Sequence, residues 1–141
     1  MRIMGLDIGD SRIGVAVSDP LGILASPLTI IERTDDDTAI DEITVIIRGK
    51  EVEQVVAGLP LNMDGTRGAQ AEKTEAFINL LLSRIEIPVH LRDERLSTVT
   101  ARERLGQTRK TGKDTRYDAA AAAIILQSYL DETNPPSLPP E

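Results

Sequence analysis

The sequence predicts an α/β fold: a mixed five-stranded sheet flanked by helices, in which an antiparallel meander of three strands is followed by parallel strands. Three observations carry that prediction. Residues 3–8 and 13–17 form two short apolar runs on either side of a Gly9-Asp10-Ser11 turn, the pattern of a hairpin. Further along, apolar runs of strand length alternate with stretches of helical periodicity. Capping acids, glycines and prolines punctuate the boundaries between them.

After the hairpin, residues 22–31 read as a third strand, with Pro27 suiting an edge position or a bulge because it has no N–H to give to a ladder. Thr34-Asp35-Asp36-Asp37 then caps a helix whose first turn is negative, as the helix dipole favours. Ile40, Ile43, Ile46 and Ile47 supply its apolar face, and Gly49 is expected to close it. Residues 52–59 form a fourth strand leading into the polar turn Asn62-Met63-Asp64-Gly65-Thr66. A second helix is expected over 68–85, with Ala76, Phe77, Leu80, Leu81 and Ile85 facing inward, and a fifth strand over 87–91. Ser97 or Thr98 can cap a third helix to about Leu105, and residues 106–112 read as a polar, basic loop. A last helix is expected from Asp114 to about Leu130, its Ala119 to Ala123 run thin enough for close packing on a sheet. The proline-rich residues 134–141 read as a disordered tail, leaving one domain over 1–133.

Composition excludes several functions. The 141 residues contain no cysteine, which rules out thiolate zinc sites and thiol catalysis. No apolar run approaches the roughly 18 residues of a membrane span, and Met1-Arg2 leads straight into the first strand, so the expectation is a soluble, cytoplasmic protein without a membrane partner. The net charge of -7 argues against nucleic acid, yet its distribution does not. Residues 92–116 hold eight basic side chains against four acids, so that segment is +4 and the remainder -11.

Three acids stand out. Asp7 lies among apolar neighbours in the first strand, Glu94 just past the fifth, and Asp118 near the start of an alanine-rich helix. Burying an unpaired carboxylate is expensive, and several that converge repel one another unless a cation lies between them. Hard oxygen ligands suit Mg²⁺ or Mn²⁺. Each acid also has a plain structural alternative: Asp7 could cap the turn, Glu94 could pair with Arg92 or Arg95, and Asp118 could serve the helix dipole. Spacing alone leaves these alternatives open. His90, the only histidine, is assigned no chemistry, and with Phe77, Tyr117 and Tyr129 the only aromatics, recognition of nucleic acid would rest on backbone and shape.

Four motifs then resemble, in order, the YqgF (RuvX-like) family. They are Leu6-Asp7-Ile8-Gly9 with Arg12-Ile13-Gly14-Val15-Ala16-Val17-Ser18-Asp19; Gly58-Leu59-Pro60-Leu61-Asn62-Met63-Asp64-Gly65-Thr66; Asp93-Glu94-Arg95-Leu96-Ser97-Thr98; and Asp118-Ala119-Ala120 with Ile124-Ile125-Leu126. That family has an RNase H-like fold and is described as Holliday junction resolvases and pre-16S rRNA processing nucleases. The resemblance covers nearly everything before the tail. It implies that Asp7, Glu94 and Asp118 are catalytic acids holding Mg²⁺ or Mn²⁺, two ions in all, for phosphodiester hydrolysis. Arg95, Arg109, Lys110, Lys113 and Arg116 become candidates to grip phosphates, with Arg12, Asn62, Ser97 and Thr98 beside them. The implied substrate is structured nucleic acid, the 5′ end of precursor 16S rRNA before a DNA junction, with ribosomal precursor particles as partners. Asp10 departs from the uncharged Thr of similar sequences, and Tyr117 from a small aliphatic. A resolvase would also be a homodimer, because two symmetric strands must be cut together. Two rival classes follow from the same residues: a non-catalytic nucleic-acid-binding assembly factor, and an actin-like ATPase sharing the Asp7-Ile8-Gly9 turn, for which 141 residues hardly supply two domains.

Overall fold

The computed structural model describes residues 1–94, the helical backbone from residue 116, and side chains from 119 to 133. Strands β1 (Arg2–Ile8), β2 (Arg12–Ser18) and β3 (Ala25–Glu32) precede helix α1 (Asp36–Lys50); β4 (Val52–Leu59), α2 (Ala69–Leu82), β5 (Val89–Asp93) and α3 (Arg116–Thr133) follow. They build one sheet in the order β3-β2-β1-β4-β5. The first three strands pair antiparallel, while β4 runs parallel to β1 and β5 parallel to β4. This is the mixed five-stranded sheet that the sequence predicts.

The period of two along β1 divides its side chains between two cores. Met4, Leu6 and Ile8 face the layer of α1 and α2, packing with Ile40, Ile43, Phe77 and Leu81. On the opposite face Ile3, Ala16 and Val56 meet Ala122, Ala123, Leu126 and Leu130 of α3. Gly5 lies directly under this helix: a Cβ there would stand 2.7 Å from Leu126 Cβ and 2.9 Å from the Ala122 carbonyl. The alanines and Gly5 together let α3 sit close to the sheet. Asp7, two residues beyond Gly5, therefore belongs to the α3 face.

Local departures from expectation have local causes. The helix α1 begins as predicted, with Asp35 accepting from the Thr38 N–H at 2.7 Å and Asp36 and Asp37 in the first turn. It does not close at Gly49, which stays helical; the left-handed position is Glu51, at φ 56°. The buried stripe of α2 runs through Ala71, Thr74, Phe77, Ile78 and Leu81, so Ala76 falls on the exposed side and the helix stops at Leu82, short of Ile85. Strand β3 starts at Ala25, because residues 19–24 wrap around Asp19, whose carboxylate accepts from the N–H groups of Leu21, Ile23 and Leu24. Pro27 stands on an edge strand beside a register shift, as its missing N–H requires. Strand β5 lies two residues later than expected, in register with β4 from Val55↔Val89 to Leu59↔Asp93. The helix expected over 97–105, the loop 106–112 and the tail 134–141 lie outside the described residues. Among the described residues no helix is long and apolar enough to cross a membrane.

Candidate active site

The orientation of α3 fixes where the site falls. Ile125 Cδ1 lies over Gly58, at the C-terminal end of β4, whereas the Tyr129 hydroxyl bonds Gln54 Oε1 near that strand's start at 3.3 Å. The helix therefore runs antiparallel to β1 and β4, and its first turn is directed toward their C-terminal ends. Asp7 stands at that end of β1, paired across to Gly14 of β2 and half-buried.

Glu94 arrives at the same place by a different route. The register of β5 sets Asp93 opposite Leu59, so the next residue turns onto the α3 face over Gly58. A Cβ at position 58 would lie 2.7 Å from both Cγ and Oε2 of Glu94 and 2.7 Å from Ile125 Cδ1. Glycine leaves the space that the Glu94 side chain fills. Burial pushes the Glu94 carboxyl up to about 7, reinforced by the negative charges of Asp7 and then Asp93. Arg92, a sequence candidate for neutralising Glu94, instead forks onto Glu132 of α3, at 2.6 and 3.2 Å.

Of the three predicted acids the structure thus brings Asp7 and Glu94 into one electrostatic neighbourhood. Asp118 is a position in the first turn of α3, one turn before Ala122, and its side chain lies outside the description. Among the described residues no set of three metal-ligating side chains forms. The donor chemistry nonetheless fits a hard divalent cation: two oxygen-bearing acids, one of them unwilling to ionise because of burial and like charge, are what a cation relieves.

A residue the sequence reading missed is Arg33. Its guanidinium donates from Nη1 to the Gly9 carbonyl at 2.7 Å and from Nε to Asp36 Oδ1 at 2.9 Å, and it rests 4.8 Å over the Phe77 ring. Its backbone N–H also donates to the Ser11 carbonyl at 2.9 Å. The turn that follows Asp7 closes through Gly9 N–H to the Arg12 carbonyl at 2.8 Å, and Arg33 holds it at two points. No spacing in the sequence distinguishes this arginine from others at strand ends.

The remaining candidates divide. Arg12 opens β2 with an exposed side chain, and Asn62 is exposed in the loop after β4, where its Nδ2 donates to Thr66 Oγ1 at 2.9 Å. Asp10 is exposed on the β1–β2 turn. Arg95, Ser97, Thr98, Arg109, Lys110 and Lys113 lie outside the described residues, as do the side chains of Arg116 and Tyr117. His90 is exposed and stacks on Tyr129 with ring centroids 5.7 Å apart.

Comparison with known proteins bears on this arrangement. The family model described as "RuvX: Holliday junction resolvase" matches residues 1–132. A protein of Dehalococcoides mccartyi named "Putative pre-16S rRNA nuclease" is 49% identical over 133 residues, covering 94% of this chain and 100% of its own length. A relative of the same name from Desulforamulus reducens is 47% identical over 133 residues, covering 93% and 97%. Among solved structures, Thermus thermophilus RuvC in complex with Holliday junction substrate superposes with a TM-score of 0.58 over 94% of this chain and 95% of the other, at 14% identity. That likeness is one of fold.

Proposed function

The chain belongs to the RuvX family of Holliday junction resolvases, and we propose that it is a divalent-metal-dependent endonuclease that hydrolyses phosphodiester bonds in structured nucleic acid, processing the 5′ end of precursor 16S rRNA. The observation that carries the reading is the carboxylate pair: Asp7 of β1 and Glu94 just past β5 are far apart in the chain, yet share one mouth of the sheet. Glu94 stands half-buried over Gly58 beside Asp7, where desolvation and like charge both penalise its ionised form.

Asp7, Glu94 and Asp118 would hold Mg²⁺ or Mn²⁺, as one ion or two. When bound, such ions polarise a water and offset the charge developing on a phosphate. The protein's own residues do the rest. Gly58 gives Glu94 its room, and Arg33 fixes the turn behind Asp7. Arg95, Arg109, Lys110, Lys113 and Arg116 attract the phosphate backbone toward a centre that would otherwise repel it. Arg12, Asn62, Ser97 and Thr98 add hydrogen-bond donors that set register without reading sequence.

The test is cleavage of a 5′-extended 16S rRNA fragment and of a four-way DNA junction, each with and without Mg²⁺, by wild type and Asp7→Asn. Metal-dependent cleavage of the RNA, reduced at least about a hundredfold by Asp7→Asn, is expected. Cleavage of the junction alone would move the substrate to DNA recombination and repair. Binding of RNA without turnover would make the protein an assembly factor rather than an enzyme.

A further inference from the structure

We propose that the open edge of β3, with the groove between it and α1, is a docking site for an extended, basic peptide segment of a partner protein, which adds to the sheet as a further strand. The site lies two strands away from Asp7 and is independent of the nuclease reading.

The direction of the backbone groups is the first observation. The Arg33 N–H donates to the Ser11 carbonyl at 2.9 Å, one position beyond the pair Arg12↔Glu32. Hydrogen-bonded and non-hydrogen-bonded pairs alternate along an antiparallel ladder. Ile31 and Thr29 therefore turn their N–H and C=O groups to β2, while Ile30 and Glu32 turn theirs outward. Since β3 ends the sheet, those outward groups have no strand to pair with among the described residues. Proline, charge or a bulge usually guards such an edge. Pro27 and the register shift between Val15 and Ala16 guard the first half of β3, and residues 28–31 carry none of these devices.

The second observation is the groove beside this edge. Helix α1 presents Thr38, Asp41, Glu42 and Val45, spaced as one helical face, to Thr29 and Ile31 of β3, and the space between is about 390 Å³. Val45 stays 69% exposed there, while Ile40, Ile43 and Ile47 of the same helix are buried.

Charge selects the occupant. The acids at the start of α1 are engaged: Asp35 caps the helix, Asp36 pairs with Arg33, and Asp37 pairs with Arg84. Asp41 and Glu42, one turn later, make no ion pair among the described residues, and no base lines the groove. Two such acids repel a phosphate backbone. They would also oppose their own copies if a second chain docked by the same edge across a two-fold axis. A cationic extended segment satisfies edge, groove and acids together. Strand addition supplies main-chain hydrogen bonds, and every second side chain of the added strand points toward the α1 layer. The segment that fits carries, on that face, aliphatic side chains for Val45 and lysine or arginine for Asp41 and Glu42.

The experiment titrates the full chain into a fluorescein-labelled octapeptide that repeats threonine-valine-threonine-lysine, read by anisotropy. Two control peptides replace the lysines by glutamate or the valines by serine. Saturable binding of the first is expected, with both controls weaker by about tenfold or more. The double variant Asp41→Lys, Glu42→Lys, in which both replaced side chains are exposed, should reverse the preference and take the glutamate peptide about tenfold better than the lysine one. Hydrogen exchange supplies a second measure: the Ile30 and Glu32 amides should gain protection on binding, while those of Thr29 and Ile31 keep the protection they already have. Failure of the lysine peptide to saturate, equal binding of the lysine and glutamate peptides, or unchanged exchange at Ile30 and Glu32 overturns the site. Protection of those two amides by an RNA duplex, or by raising the protein concentration alone, also overturns it and assigns the edge to nucleic acid or to a second copy.

Discussion

Glu94 is held where its ionised form is disfavoured, and that conflict can be measured. Its carboxyl titrates near 7 in the folded chain against 4.5 as the ordinary value, because of burial and the charges of Asp7 and Asp93. Between those two values the native state binds a proton that the unfolded chain has already released. Without metal, stability should therefore fall as pH rises from 4.5 to 7. Urea midpoints at either end of that window should differ for wild type, and Glu94→Gln should lose this part of the slope. Saturating Mg²⁺ should reverse the trend, since the ion favours the carboxylate; a carboxyl ¹³C titration unmoved by Mg²⁺ would contradict a role for Glu94 as ligand. Much of this was hidden in the sequence. Asp7 is conspicuous as an acid in an apolar strand, but its approach to Glu94 depends on a β4–β5 register that no local pattern specifies. Gly58 reads from the sequence as a strand-end glycine, and only the packing reveals whose space it keeps.

Elements show the opposite balance. The meander, α1 and β4 were legible because each has both a period and a boundary signal: alternation with a turn, an isoleucine stripe with capping acids, an apolar run ending in Gly-Leu-Pro. The phase of α2 and the start of β5 were not, since a stripe of mixed apolar residues allows more than one face and a short strand takes its register from its neighbour. The end of α1 is instructive. Its left-handed residue is Glu51, although glycine stands two positions earlier at Gly49, which remains helical. A left-handed L-residue is strained, so Glu51→Gly should stabilise the protein by about 0.5–1 kcal/mol after the glycine's own entropy is charged. Calorimetry should show a thermal midpoint higher by about 3 °C, with activity at wild-type level. Gly5 makes a complementary point: the seam between β1 and α3 is set by a missing side chain, a feature sequence patterning presents only as a gap in hydrophobicity.

At the scale of the whole molecule, charge is divided between an acidic body and a basic stretch over 92–116. If that stretch grips phosphates, affinity for RNA should fall steeply with salt, and neutralising Lys110 and Lys113 together should flatten the log–log slope by about 2. Filter binding across a salt series with Asp7→Asn as the uncleaving background measures it, and an unchanged slope would place the phosphates elsewhere. The way α3 is attached has a different consequence. Among the described residues, its side-chain hydrogen bonds to the rest of the fold come from its second half: Gln127 bonds the Ala25 N–H and the Ile23 carbonyl, Tyr129 bonds Gln54, and Glu132 pairs with Arg92. The position of Asp118 is nine residues upstream of Gln127, about 13 Å along the axis. A tilt of about 5° at the fastened end then carries the first turn sideways by about 1 Å, a displacement that can alter a reaction rate about a hundredfold. A substitution such as Gln127→Ala, remote from every carboxylate of the site, is therefore expected to lower the cleavage rate through the seating of the helix, with Asp7 and Glu94 unchanged.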